Sequence, residues 1–308
     1  MTGKIISLFL CVVMLAGCGP ALAEDARVTV TDMAGREVTL DAPASRVVVL
    51  QPGDAEILYA IGAGDAVVGR GAYVDWPEEA LNVPSVMSGY ETNLEQIIAL
   101  EPQAVIMTVM SQTEDQVNAL EDAGIRVIVT NAQSLEDIYD CIALLGAVVG
   151  KTAEAEALVA AMKAELEEIA AEAKALGAEG KTFYYEESPL QWGLWAGGSG
   201  IFFDDLCALM GLKNIFGDLE GHNSVSEEQV QMLAPDLIFT TMMYYGEGPT
   251  PDEEIASRAG WEQIPAVKNG AILYDNTSAI ARPGPRVVDA ARMILDLLKT
   301  LSEADNAA

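Results

Sequence analysis

Residues 152–176, TAEAEALVAAMKAELEEIAAEAKAL, form an uninterrupted helix-favouring stretch near the middle of the 308-residue chain. Its apolar residues recur three or four positions apart, which is the spacing of a single helix face. These residues are Leu158, Met162, Leu166, Ile169, Ala173 and Leu176. Thr152 is a suitable N-cap, and Gly177 is a natural C-terminal stop. The stretch therefore predicts one helix about 37 Å long, stiff enough to act as a spine.

Short apolar runs alternate with helix-period segments on both sides of this helix. Strands are predicted at residues 47–50, 67–68, 104–107, 127–129, 182–185, 237–239 and 272–274, after a β-hairpin at residues 28–40. Helices are predicted at residues 54–62, 94–100, 113–123, 134–149, 201–210, 227–233, 252–259 and 286–300. Buried strands that alternate with helices indicate parallel sheets covered on both faces. We expect two Rossmann-like α/β lobes, residues 27–150 and 178–308, joined by a single long rigid helix at 151–177, with a ligand cleft between the lobes.

A short segment of sequence occurs once in each half. Residues 93–108 align without gaps on residues 226–241, with five identical pairs. The pairs are Glu95/Glu228, Gln96/Gln229, Leu100/Leu233, Pro102/Pro235 and Thr108/Thr241. The pattern predicts a helix, a proline-marked stop and a buried strand in each half, hence two similar lobes facing each other. The alternative is that unrelated βα units happen to share this pattern.

The first residues have the features of an export signal. Lys4 precedes a twelve-residue, largely apolar run, 5–16, which is too short to span a bilayer as a helix. The run ends in Leu15-Ala16-Gly17-Cys18, which resembles the bacterial lipoprotein cleavage box. We expect a signal peptide at 1–17, lipidation of Cys18 and a tether at 18–26. The alternative is an ordinary signal cleaved at residues 21–23.

The composition excludes several classes of partner and site. The chain has 47 acidic and 17 basic residues, a formal net charge of −30, which argues against binding to nucleic acid or to anionic lipid. With four cysteines and one histidine, a His/Cys zinc site is nearly excluded. Cys141 and Cys207 are predicted to be small buried residues, with a disulfide as the alternative. The adjacent acids Glu186-Glu187 and Asp204-Asp205 are interpreted as solvated surface.

The sequence contains no phosphate-binding loop, dinucleotide fingerprint or hydrolase elbow. His222 is the only histidine, and nothing ties it to a nucleophile, so we expect no enzyme, with an exported enzyme using the cleft as the alternative. Aromatic residues instead follow predicted strands in both halves, where ligands bind in open α/β sheets. They are Tyr73, Trp76, Tyr90, Trp192, Trp195, Tyr244 and Tyr245. Rigid amphipathic rings predict a bulky, partly apolar ligand.

Several stretches together, in order along the chain, resemble the ATP-binding-cassette (ABC) substrate-binding proteins for ferric siderophores, heme and cobalamin. They are residues 30–36 (VTDMAGR), 55–62 (AEILYAIG), 93–95 with 100–102, 211–216 (GLKNIF), 225–229 (VSEEQ) and 282–286 (RPGPR). The resemblance implies two α/β lobes and one long helix. It also implies a monomeric, extracytoplasmic receptor without a cofactor, lipid-anchored on the outer face of the cytoplasmic membrane. Such a receptor delivers an iron chelate, most readily a ferric siderophore, to a permease dimer and its ATPase; heme and cobalamin are the alternatives.

The resemblance also implies roles for individual residues. Glu95 and Glu228 match the acids that pair with arginines of the permease dimer. Ligand contacts are expected from Tyr73, Tyr90, Trp192, His222, Tyr244, Arg282 and Arg286. Gly89 and His222 stand where cobalamin binders often have tryptophan, which disfavours cobalamin. Arg282 and Arg286 would meet anionic groups of a siderophore; the alternative for Arg286 is a pair with a nearby acid such as Asp289.

Overall fold

The structure, a computed structural model, describes residues 27–89, 92–109, 113–242, 244 and 246–307. The predicted signal peptide 1–17, lipidated Cys18, tether 18–26, Tyr90 and Tyr245 lie outside the described residues. Among the residues described, no helix has the length and apolar character needed to cross a bilayer.

The N-terminal lobe begins with the predicted hairpin, β1 (Val28–Thr31) and β2 (Glu37–Leu40), which pair antiparallel. Asp32 stabilises the turn because its carboxylate accepts hydrogen bonds from the backbone of Ala34 and Arg36 and from the Arg36 guanidinium. The same carboxylate accepts the amide of Val129 at 3.1 Å, and so ties the hairpin to the main sheet.

A five-stranded parallel sheet with the order β5-β4-β3-β6-β7 forms the centre of this lobe. Its strands are β3 (Val47–Val49), β4 (Val67–Gly71), β5 (Ser85–Val86), β6 (Ala104–Thr108) and β7 (Arg126–Thr130). Its helices are α1 (Pro52–Ala60), α2 (Leu94–Ala99), α3 (Glu114–Asp122) and α4 (Leu135–Val148). The four predicted strands and four predicted helices are confirmed. Strand β4 extends three residues beyond the predicted 67–68. The prediction was too short because Gly69 and Gly71 interrupt the apolar run. At both glycines, neighbouring atoms leave no room for a Cβ.

The predicted central helix is confirmed as α5 (Thr152–Ala175). Its buried face packs against α4 on one side and against the last helix of the chain, α10 (Val287–Ala307), on the other. Ion pairs reinforce both contacts. Lys163 pairs with Glu136 of α4 at 3.3 Å, and Lys299 of α10 pairs with Glu172 at 3.0 Å. The helix is therefore held along its length by both lobes.

The C-terminal lobe contains a six-stranded sheet in which β8, β10, β12 and β13 run parallel. Its strands are β8 (Thr182–Ser188), β9 (Trp195–Gly197), β10 (Lys213–Asn214), β11 (His222–Ser224), β12 (Leu237–Thr240) and β13 (Ile272–Tyr274). Its remaining helices are α6 (Phe202–Leu209), α7 (Glu227–Leu233), α8 (Pro251–Ser257) and α9 (Pro265–Lys268). Strand β9 is antiparallel to β8, and β11 is antiparallel to β9. The sequence did not predict this edge because both strands are three residues long and lack an apolar run.

The internal repeat corresponds to α2 and β6 in one lobe and to α7 and β12 in the other. The predicted helix, stop and strand are therefore confirmed in both copies. The likeness extends to the backbone. Glu101 and Ala234 occupy equivalent positions of the repeat, and both adopt a left-handed conformation, with φ of 48° and 46°. Because residues other than glycine seldom adopt this conformation, the shared turn is a specific feature of the repeat rather than a general property of βα units.

Candidate ligand cleft

Exposed aromatic side chains follow strand carboxyl ends in both lobes. Tyr73 lies just after β4 and is 66% exposed, whereas Trp192 follows β8 and is 70% exposed. Tyr244 follows β12 and is 40% exposed. Gly89 lies beside the Tyr73 ring, since a Cβ on this glycine would be 3.8 Å from Tyr73 Cε2. The structure thus places these three predicted residues at the strand edge where open α/β sheets bind ligands.

Trp192 and Tyr244 line the same cavity of the C-terminal lobe, about 590 Å³ in volume, which we call the aromatic chamber. Its other lining residues are Glu186, Glu187, Pro189, Gln191, Thr241, Met242, Glu247, Pro249, Pro251 and Glu254. The Tyr244 hydroxyl donates to the Gly248 carbonyl at 3.1 Å, which orients the ring. The chamber therefore combines rigid rings with a carboxylate-rich rim.

His222 lines a second, smaller cavity of about 160 Å³, which we call the inter-lobe chamber. Ala132 and Gln133 of the N-terminal lobe contribute to it together with residues of the C-terminal lobe. Glu187 lines both chambers, so they meet at this residue. Its carboxylate lies 2.8 Å from His222 Nδ1, and this hydrogen bond raises the pKa of the imidazole although partial burial opposes the shift.

Arg282 and Arg286 bridge the two lobes. Arg286 Nη2 donates to Glu56 Oε1 of α1 at 2.7 Å, and its Nη1 donates to the Thr277 carbonyl. Arg282 Nη1 donates to Asp75 Oδ1 at 2.5 Å and lies 3.6 Å from Glu56. The Arg282 guanidinium lowers the pKa of Asp75. We call these four charged side chains the inter-lobe cluster. Asp289, the partner suggested by the sequence for Arg286, pairs instead with Arg292.

Trp76 lies away from both chambers. Its ring stacks against the Arg286 guanidinium, 5.2 Å from the ring centroid, at a cavity of about 870 Å³. The end of α1, the start of β4 and residues 76–83 line this cavity. Although it is larger than the aromatic chamber, it reaches the start of β4 rather than the carboxyl ends of the sheet. Trp195 lines neither chamber and is 43% exposed on β9.

Glu95 and Glu228 are exposed and occupy the same position, the second residue, of equivalent helices. Asn93 caps α2 by accepting the Gln96 amide at 3.0 Å, and Ser226 caps α7 by accepting the Gln229 amide at 3.3 Å. Hydrogen bonds from its own amide and from Ser226 lower the pKa of Glu228. The repeat therefore presents two matched carboxylates, one on each lobe.

Comparison with known proteins agrees with this architecture. A profile of the periplasmic binding protein family matches residues 47–278, three quarters of the chain. The chain belongs to this family. It is 32% identical, over 92% of each chain, to the ABC transporter substrate-binding lipoprotein YvrC of Bacillus subtilis. The chain is accordingly the substrate-binding component of an ABC transporter.

Two solved structures are similar to this chain in both sequence and fold. One is a possible iron-binding (periplasmic solute-binding) protein of Staphylococcus epidermidis, with 26% identity, a TM-score of 0.68 and coverage of 83% of this chain and 99% of that one. The other is the periplasmic vitamin B12-binding protein BtuF of Vibrio cholerae, with 25% identity, a TM-score of 0.69 and coverage of 84% and 98%. The predicted fold, two α/β lobes, is confirmed. The family consists of binding proteins that deliver ligands to a permease and ATPase, not of enzymes.

The sequence missed one charged network of this binding protein. Glu186, interpreted as solvated surface, is buried, and its two oxygens accept from Arg258 Nη1 and Nη2 at 2.7 and 2.8 Å. Arg258 also pairs with Glu254 and stacks on the Trp261 ring. The predicted strand ends at residue 185, whereas β8 continues through Glu186 to Ser188, so Glu186 lies within the sheet rather than in a solvated loop.

Cys141 and Cys207 are buried and unpaired, as predicted. Cys141 Sγ donates to Asp54 Oδ1 at 3.4 Å, and the Thr130 hydroxyl donates to Oδ2 at 2.8 Å. Burial raises the pKa of Asp54 to about 6. Over the described residues, no group of three His, Cys, Asp or Glu side chains is placed to hold a metal ion.

Proposed function

We propose that this protein is a lipid-anchored, extracytoplasmic receptor that binds a metal chelate between its lobes and delivers it to a permease dimer. The lipoprotein box ending at Cys18 and the named lipoprotein among the relatives support the anchor. The named iron-binding and vitamin B12-binding structures support a bulky metal complex as the ligand. The receptor would face outward from the cytoplasmic membrane and act as a monomer.

The observation that carries this proposal is the match between Glu95 and Glu228. Both acids are exposed at the second position of capped helices, and they are related by the internal repeat. A permease made of two like subunits offers two like surfaces, so a receptor with one acid on each lobe can engage both at once. Arginine is the complementary group, because carboxylate–guanidinium pairs give both strength and register. The helix dipoles favour acids at these positions as well, and the two roles are compatible.

The aromatic chamber supports a bulky ligand with apolar faces. A ferric siderophore is the class that we favour, since residues 89 and 222 are Gly and His where the resemblance implies Trp in cobalamin binders. A corrinoid is the second candidate, supported by the structural similarity to the vitamin B12-binding protein of Vibrio cholerae. Tyr73, Trp192, His222 and Tyr244 are the proposed contacts among the described residues.

Uptake by cells that carry the cognate permease tests the docking role. The double variant Glu95→Ala, Glu228→Ala should abolish uptake while the dissociation constant for the chelate in solution stays unchanged. The control removes two exposed acids of α5, Glu167→Ala with Glu168→Ala, which changes the net charge equally. Loss of chelate binding in the docking variant, or normal uptake by it, would overturn the proposal. Loss of uptake in the control would show that uptake depends on the net charge of the receptor rather than on Glu95 and Glu228.

The anchor is tested separately. Cys18→Ser should prevent incorporation of labelled fatty acid and release the receptor from the membrane fraction. Incorporation of label into the variant would refute lipidation at this residue.

A further inference from the structure

The charge of the chamber walls bears on the class of chelate that this receptor takes. Four carboxylates line the aromatic chamber, those of Glu186, Glu187, Glu247 and Glu254. Within the described part of the chain, no lysine or arginine lines this chamber or the inter-lobe chamber. Apart from His222, the charged groups that line the two chambers are therefore carboxylates.

The cations that contact these four acids only partly offset their negative charge. Arg258 is buried and shared between Glu186 and Glu254, so one guanidinium faces two carboxylates. His222 faces Glu187. Glu247 is exposed on the loop after β12 and has no ion-pair partner among the described residues. Even with His222 protonated, four acids against Arg258 and His222 leave two negative charges.

The arginines that an anionic chelate would need are committed elsewhere. Arg286 is held by Glu56, and Arg282 is held by Asp75, both within the inter-lobe cluster. Recruiting either guanidinium would leave a carboxylate of the N-terminal lobe without its partner. Loss of the partner would be strongly destabilising for Glu56, because its carboxylate is buried.

We propose that the chambers select chelates whose exposed groups are uncharged or cationic hydrogen-bond donors, such as amides and amines, and discriminate against chelates with exposed carboxylates or phenolates. This inference rests on the proposed function and narrows its ligand class. Carboxylate acceptors gain charge-assisted hydrogen bonds from N–H donors. They repel an anion that finds no counter-ion in the cleft. The net charge of −30 also lowers the rate at which anions reach the protein.

Two series of ligands that differ only in charge provide the test. The first is ferrioxamine B, which carries a free ammonium group, with its N-acetyl and N-succinyl derivatives, which are neutral and anionic around the same iron centre. The second is cyanocobalamin and a derivative with one side-chain amide converted to a carboxylate. Dissociation constants are measured by tryptophan quenching with the full mature chain. Within the series that binds, we expect the anionic member to bind at least about tenfold more weakly than the uncharged member.

Substitutions that change the charge of the aromatic chamber make the test specific. Glu247→Gln should reduce the discrimination, and Glu247→Lys should remove or reverse it, because this side chain is exposed and unpaired within the described residues. Glu262→Gln is the matched control, an exposed acid outside both chambers. Equal discrimination in the Glu247 variants and the wild type would overturn the assignment to this wall.

The outcomes separate this inference from the proposed function. Hemin and a ferric tricatecholate, which are anionic, are titrated alongside the two series. Binding of only these two ligands, or equal or tighter binding of the anionic member of a series, would overturn the charge preference and leave the receptor role standing. Failure of every chelate to bind would overturn both.

Discussion

Arg286 of the C-terminal lobe donates to Glu56 of the N-terminal lobe at 2.7 Å, and the two side chains are only 11% and 2% exposed. Pro285 and Arg286 immediately precede α10, while Glu56 lies on α1, so the pair joins the lobes next to the long helices. The sequence suggested that Arg286 would contact the ligand. The structure shows it committed to an inter-lobe contact.

Glu56→Gln should destabilise the protein by about 3 kcal/mol, because it leaves the largely buried Arg286 guanidinium without its counter-charge. The control is Asp289→Asn, which neutralises one partner of the Arg292 pair, where both side chains are about half exposed. Exposed pairs contribute at most about 1 kcal/mol, so the control should have little effect. Urea unfolding followed by circular dichroism measures both free energies of unfolding. A similar, small change in the two variants would show that the inter-lobe pair contributes no more than a surface pair.

Asp54 predicts a specific dependence of stability on pH. Burial raises the pKa of its carboxyl from 3.8 to about 6, so folding favours the protonated form. Its stabilising contribution is fully present below the unfolded-state pKa and is lost as the pH rises through about 6. Between about pH 4 and pH 8, the free energy of unfolding of the wild type should therefore fall by roughly 2–3 kcal/mol relative to Asp54→Asn. Parallel pH profiles for the two proteins would contradict the assignment.

His222 is the only histidine of the chain, so its imidazole gives a single set of resonances in tag-free protein. The Glu187 carboxylate should hold its pKa above the ordinary value. Glu187→Gln keeps a hydrogen-bonding group but removes the charge, and should lower the pKa measured by NMR titration. Glu220→Gln, an exposed acid near the same strand, should leave the pKa unchanged. An equal decrease in the pKa of His222 in the two variants would indicate a long-range electrostatic effect rather than the direct contact with Glu187.

The two exposed tryptophans that follow β8 should behave differently in ligand binding. Trp192 lines the aromatic chamber, whereas Trp195 does not. Because buried aromatic anchors carry much of the binding energy at interfaces, Trp192→Ala should weaken chelate binding by roughly thirtyfold. Trp195→Ala should change it by less than about threefold. Titration calorimetry compares the variants, and equal losses would place the ligand outside the chamber.

The sequence predicted the features that depend on periodicity and repetition. The spacing of Met162, Leu166 and Ile169 located α5, and the 93–108 and 226–241 repeat located equivalent units in both lobes. Continuous apolar runs located the buried strands because parallel sheets bury both faces. Those patterns are local, so they can be recognised without knowing how the chain folds back on itself.

The rest depended on contacts between distant segments. Arg286 and Glu56 are 230 residues apart, and nothing near either of them indicates the other. Glu186 is interpreted as solvated surface because adjacent acids are expected in a chain with 47 of them, and its partner Arg258 lies 72 residues away. The short strands β9 and β11 acquire their conformation from pairing with β8 rather than from their own composition. Charge placement in the cleft was therefore the part that the sequence could not supply.

The way α5 is anchored, with α4 on one flank and α10 on the other, limits how far the halves can swing apart. We expect a receptor built like this to change its outline little on ligand binding, so the spacing between Glu95 and Glu228, the proposed docking carboxylates, would differ little between the empty and the filled state. If so, the importer would have to distinguish filled from empty receptors by the groups exposed at the opening of the cleft. Vacant copies should consequently compete with filled ones for the same landing sites.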